Sequence, residues 1–161
     1  MVLGRSRIEE LVGKGLIEGF SEASLGGSGY DLRLGRVYRL KSDSFLGVEG
    51  RKTPEVGELE GDRFVLKPGE YVLVETLEKV NMPVDVCARV LNRSTIFRCG
   101  CSLFNALVDP GFRGTLTFGL KNLSDREFTV ERGARIAQIV FEEVEGETVE
   151  YEGKYQGGKV V

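Results

Sequence analysis

The residues best equipped for chemistry lie between Leu91 and Gly114, in the stretch LNRSTIFRCGCSLFNALVDPGFRG. Two arginines, Arg93 and Arg98, are spaced around the hydroxyl residues Ser94 and Thr95, and the stretch closes on Asp109 at a Pro110-Gly111 bend. From Val86 to Val108 there is no carboxylate, although the chain as a whole carries a net charge of -3. A local cationic field that ends in a single acid suits a site that holds phosphates and activates a water beside them. The same residues also fit surface arginines followed by an aspartate that merely opens a turn, because turns recruit Asp, Pro and Gly for their own reasons. Residue type and spacing leave both readings open.

Histidine is absent from the 161 residues. Ser-His-Asp and Cys-His nucleophile systems therefore cannot be built, nor can a His-ligated zinc site. Cys87, Cys99 and Cys101 form no CxxC pair, so the zinc element of the nucleobase deaminases is missing as well. An odd number of cysteines reads as buried or free thiols. Acid–base work falls to Asp or Glu, and any metal must be a hard one held by oxygen. The acidic balance argues against duplex nucleic acid as a partner. No apolar run is long enough to span a bilayer and no signal-peptide pattern opens the chain, so the expected location is the cytoplasm.

The elements that must position these groups read mainly as strands. Ser6 to Glu9 has the form of a capping box, with Ile8, Leu11 and Val12 as the apolar stripe of a short helix stopped by Gly13 and Gly15. From Tyr30 to Leu40 the period becomes two: Tyr30, Leu32, Leu34, Tyr38 and Leu40 share one parity, Asp31, Arg33 and Arg39 the other. Residues 41–62 are rich in glycine and charge and read as a surface excursion. Strand patterns resume at 63–66 and 70–77, then around Val84–Val90, and continue at 115–122, 127–130 and 135–144. Many short strands parted by Gly, Pro and Asp turns predict an all-β domain, a sandwich, jelly roll or distorted barrel. We expect a single domain over 1–161, with a polar, glycine-rich and mobile tail over 147–161.

Five segments, SGYDLRLG, LNRSTIFRCG, ALVDPGFRG, GARIAQIVF and YEGKYQG, follow one another in an order that resembles the dUTPase and dCTP deaminase superfamily, in particular its archaeal-type branch. The resemblance implies a jelly-roll-like distorted β-barrel assembled as a homotrimer with active sites at subunit interfaces. It implies a deoxynucleoside triphosphate substrate with Mg²⁺, and one of two reactions: hydrolysis of dUTP to dUMP and pyrophosphate, or zinc-independent deamination of dCTP. Asp109 matches the aspartate that meets the deoxyribose 3′-hydroxyl and orients the attacking water. Arg93, Ser94, Thr95 and Arg98 would meet the triphosphate, where guanidinium forks match phosphate oxygens. Asn105 is a further implied substrate contact. Phe112 matches the aromatic that lies against the sugar and would crowd a 2′-hydroxyl. Gln138 matches a glutamine that reaches the phosphates. Asp31 would hold a water of the metal shell or buttress an arginine. Tyr151, Lys154 and Gln156 match a tail element that folds over bound nucleotide.

Three positions depart from the deaminase pattern. Gly119 stands where deaminases carry a catalytic glutamate, Ala106-Leu107 stands where they tend to have His-Arg, and Gly158 replaces a glutamine frequent in relatives. Glycine can neither shuttle a proton to a ring nor activate water. The sequence therefore predicts a dUTP diphosphatase. A dCTP deaminase with an altered catalytic residue and an inactive nucleotide-binding relative are the alternatives.

Overall fold

A strand half buried against a core alternates apolar and polar side chains, and this alternation governs most of the computed structural model, which describes residues 1–161. The chain opens with helix α1 (Arg5–Gly13), strand β1 (Ile17–Glu18) and a 3₁₀ turn (Glu22–Ser24). Then follow β2 (Tyr30–Leu40), β3 (Phe45–Leu46), β4 (Arg51–Lys52), β5 (Val56–Glu58), β6 (Arg63–Leu66), β7 (Tyr71–Asn81) and β8 (Val86–Asn92). The short helix α2 (Ser94–Arg98) precedes β9 (Cys101–Phe104), β10 (Arg113–Asn122), β11 (Phe128–Glu131) and β12 (Arg135–Glu143).

The main sheet runs β8-β12-β2-β7-β10-β9, with β1 added beside β7 and β5 beside β2. Its two ends meet through the segment after β9. Ala88 and Val108 exchange both backbone hydrogen bonds at 2.9 Å. Closure leaves few free sheet edges and makes the molecule a nearly closed, jelly-roll-like barrel of antiparallel strands, the expected all-β class. The core is built from inward-facing residues such as Leu32, Leu34, Val74, Leu120, Ile139 and Phe141, all fully buried. Each such aliphatic or aromatic side chain contributes about 1.5–3 kcal/mol on leaving water.

Three local expectations change. Helix α1 begins at Arg5 with Gly4 as N-cap and no side-chain cap bond, so Ser6 lies inside the helix and the capping box does not form. Arg5–Glu9, Arg7–Glu10 and Glu10–Lys14 pairs support the exposed face instead. The parity of β2 holds from Tyr30 to Leu34 and then shifts at a bulge before Val37, leaving Val37 buried and Leu40 exposed. The arginine–hydroxyl segment, to which no element was assigned, closes into the single turn of α2.

One acid lies wholly inside. Glu78 of β7 accepts bonds from Arg33 Nε at 2.7 Å, from the Arg33 backbone N–H at 3.0 Å and from the Tyr30 hydroxyl at 3.1 Å. This network ties the start of β2, which carries Asp31, to the middle of the sheet.

Candidate functional site

Strand β2 and the β8–α2 junction place Asp31 and Arg93 side by side. Arg93 Nε lies 3.1 Å from Asp31 Oδ2, and Arg135 NH1 lies 3.6 Å from the same oxygen. Arg135 comes from the first residue of β12, where a bulge before Ala137 shifts the register against β2. Its NH1 also donates to the Ala23 carbonyl at 3.0 Å. Arg93 and Arg135, with Ser94, Gln138 and Asn92, line an open cleft of about 510 Å³ between β12 and the Glu22–Ser24 turn. Two guanidinium groups against one carboxylate leave this cleft with net positive charge. Such a surface suits an anion with several oxygens.

Arg135 is a residue that the sequence reading did not single out. Its signal was available as a basic residue three positions before Gln138 on the same strand, but only the bulge brings both to one surface. Thr95 lines a neighbouring groove that shares Arg93 and Arg135. Arg98 lies at the end of α2 with its guanidinium 5.6 Å from the Phe97 ring centre, outside the cleft.

Asp109 lies elsewhere. The turn from Asp109 to Phe112 is closed by Phe112 N–H donating to the Asp109 carbonyl at 3.2 Å, with Gly111 at φ 76°. Pro at the second position and a positive φ at the third are what a type II turn requires, so the Asp-Pro-Gly triplet makes the bend by local chemistry. The turn presents Asp109 and Phe112 to a cavity of about 370 Å³ lying over β10. Asp109 is the only carboxylate in its lining, Lys159 the only cation, and Gly119 is the only glycine. Asn105 is exposed in the loop that leads into the bend.

The tail lies against this bend. Tyr151 packs edge-on against Phe112 with ring centres 5.6 Å apart. Gln156 accepts from the Arg113 backbone N–H at 2.7 Å and donates to the Gly111 carbonyl at 3.0 Å. Lys154 Nζ bonds Thr53 Oγ1 at 3.0 Å, and Arg51 lies 6.0 Å from the Tyr155 ring. The 41–62 excursion is thus a support for the tail as well as a surface loop. Tyr151, Tyr155, Lys159 and Val160 complete the wall of the Asp109 cavity, and no tail residue lines the Arg93 cleft.

The candidates that line a cavity therefore form two groups within one chain, no residue lines both, and Thr95, Arg98, Asn105, Lys154 and Gln156 line neither. One is cationic and polar. The other is apolar, with a single acid.

Residues 2–144 match the dCTP deaminase-like family. A dCTP deaminase of Pyrococcus furiosus is 41% identical over 143 residues, 88% of this chain and 85% of that protein. A probable deoxyuridine 5′-triphosphate nucleotidohydrolase of Methanothermobacter thermautotrophicus is 38% identical over 129 residues, 80% of this chain and 85% of that protein. The crystal structure of a 2′-deoxycytidine 5′-triphosphate deaminase from Agrobacterium tumefaciens shares the fold with a TM-score of 0.71 at 20% identity, over 89% of this chain and 48% of that longer one. Relatives named for either of two reactions thus match nearly the whole barrel, and the chain belongs to the dCTP deaminase-like family of the dUTPase and dCTP deaminase superfamily.

Proposed function

We propose that the chain hydrolyses dUTP to dUMP and pyrophosphate. The observation that carries this reading is the composition of the cavity under the Asp-Pro-Gly bend: one carboxylate, Asp109, and no side chain at position 119. Hydrolysis at the α-phosphorus needs one group to aim and deprotonate a water, together with neutralised phosphate oxygens. Deamination at a pyrimidine C4 needs, in addition, a group that carries a proton between water and the ring. Asp109 serves the first requirement, and no second acid lines the cavity for the other.

In this reading the sugar and base occupy the Asp109 cavity with Phe112 against the deoxyribose. The phosphates meet Arg93, Arg135, Ser94 and Gln138. Because the two groups share no wall, a nucleotide that meets both would run from the cavity of one copy to the cleft of another, in keeping with the homotrimer and inter-subunit sites that the family resemblance implies. Asp31 is already paired with Arg93 and Arg135, and no three His, Cys, Asp or Glu side chains gather anywhere in the chain. Mg²⁺ would therefore arrive on the triphosphate, keep most of its waters and shield the phosphate charge. Asp31 acts by fixing the two arginines, at most through a metal-bound water. No helix is long and apolar enough to cross a membrane, and a cytoplasmic nucleotide enzyme is the reading we adopt.

The test is pyrophosphate release from dUTP against ammonia release from dCTP by the purified chain. Asp109→Asn should lower pyrophosphate release by about a hundred- to ten-thousandfold, the usual contribution of a general base, while dUMP still binds. Unchanged turnover would remove Asp109 from the role. The second reading, dCTP deaminase, is favoured by the name of the Pyrococcus furiosus relative, and ammonia release with dUTP left intact would establish it.

A further inference from the structure

Gln156 spends its amide on the bend that carries Asp109. Its Oε1 accepts from the Arg113 backbone N–H at 2.7 Å, and its Nε2 donates to the Gly111 and Tyr151 carbonyls, both at 3.0 Å. These partners fix which way the amide points, since a backbone N–H only donates and a carbonyl only accepts. Both N–H groups are thereby committed to backbone. An ionised phosphate oxygen, which only accepts, finds no donor left on this side chain, and Gln156 lines neither cavity. Two backbone bonds run beside it: Tyr151 N–H donates to the Pro110 carbonyl and Gly157 N–H to the Arg113 carbonyl, each at 2.8 Å. From inside, the bend has less support. Pro110 has no N–H to give, and Gly111, the residue type with the most backbone freedom, donates to the Pro83 carbonyl at 3.3 Å. Phe112 is anchored separately, by its burial and by the Met82 N–H on its carbonyl at 2.9 Å.

We propose that Gln156 is a positioning residue, which clamps the tail to the Asp-Pro-Gly bend and so keeps Asp109 aimed at the reacting phosphorus. The inference rests on the reading that Asp109 is the base, and it replaces the nucleotide contact that the family resemblance implies for Gln156. A group that aims a water has little tolerance, and a displacement of about 1 Å can cost about a hundredfold in rate. Asp109 directly precedes the two residues whose carbonyls the tail holds, so a tilt of the bend reaches its carboxylate. Phe112 keeps its own anchors when the clamp is lost, and the surface offered to the sugar stays in place. Loss of the clamp therefore acts on turnover and spares affinity.

The experiment compares Gln156→Ala and Gln156→Met with the parent chain in two readouts: pyrophosphate release from dUTP, and hydrogen exchange across residues 108–114. Gln156→Met keeps the length of the side chain and loses all three bonds, so it separates the clamp from simple packing. Both variants should lower kcat about ten- to a hundredfold and leave KM within about twofold, the pattern of an interaction that matters only in the transition state. Exchange across the bend should quicken while β7 exchanges as in the parent. A raised KM at unchanged kcat would return Gln156 to the nucleotide and overturn the assignment, and so would parental exchange across the bend. Quickened exchange with parental pyrophosphate release would remove the positioning role alone. Quickened exchange in a chain that releases ammonia from dCTP and no pyrophosphate from dUTP would remove the hydrolase reading alone, and the same fall in kcat would then be read on ammonia. A parent that turns over neither nucleotide would remove both.

Discussion

Replacing Glu78 by Gln tests whether the strand that carries Asp31 is held by a buried ion pair. Glu78 is fully buried and accepts three hydrogen bonds, two of them from Arg33. Glutamine keeps the volume but sets an amide donor against donors. Removing one partner of a buried pair costs about 3–5 kcal/mol. Here the guanidinium keeps 28% of its side chain in water and still donates to the Gly19 carbonyl at 2.6 Å. The loss should therefore sit lower, at about 2–3 kcal/mol, or about 5–10 °C in Tm for a chain of this size. Tyr30→Phe removes one neutral donor to Glu78 and one acceptor for the Ser21 N–H, so it should cost only about 1 kcal/mol. Urea unfolding at one fixed protein concentration compares the two, since any assembly would make the midpoint concentration-dependent. A Glu78→Gln loss no larger than that of Tyr30→Phe would show that Arg33 reaches water freely and that no buried pair holds β2.

Gly114 has φ 140° and meets the tail, and a Cβ there would overlap the Gly158 backbone N–H and lie 2.6 Å from the Gly157 carbonyl carbon. Gly114→Ala should lift residues 151–158 from the bend, seen as faster proteolytic removal of the tail with the barrel intact. Arg135→Met should weaken pyrophosphate binding about tenfold by removing one of two guanidinium forks, whereas an unchanged affinity would confine Arg135 to supporting Asp31. Burial pushes the Cys101 thiol from the ordinary 9.0 up to about 11. Burial and then the Glu75 carboxylate push the Tyr38 phenol from 10.0 up to about 12. Below pH 9 both groups are protonated in both states and their contribution is complete. Between pH 9 and 12 the unfolded chain releases these protons first, so stability should fall as pH rises. The fall should be shallower in Cys101→Val, and an identical pH slope would refute the thiol's part.

How far the sequence could be read depended on whether a feature was set locally or by a neighbour. Tyr30, Leu32 and Leu34 announced β2 because a strand with one buried face must alternate, and Leu116, Phe118 and Leu120 did the same for β10. The bulge after Leu34 could not be read from β2 itself. A Cβ at Gly35 would lie 2.8 Å from the Glu75 carbonyl, so the partner strand β7 decides where the parity shifts. The Asp-Pro-Gly bend was legible because its turn type is fixed by proline and glycine. Arg135 was not, since its part in the cleft depends on a register shift between β12 and β2. Tyr71 was hidden for the same reason. In sequence it is 48 residues from Gly119 and begins an ordinary alternating strand; only the pairing of β7 with β10 lays it over that glycine.

This distinction bears on the chemistry. From the sequence, position 119 is an absence, a glycine without a carboxylate, and an absence leaves room for some other acid or a water. In three dimensions the Tyr71 phenol of the adjacent strand lies over that glycine, with the Phe104 ring centre 6.4 Å from its own. A side chain introduced at position 119 meets the Tyr71 phenol first, so a test of that position has to vary both residues.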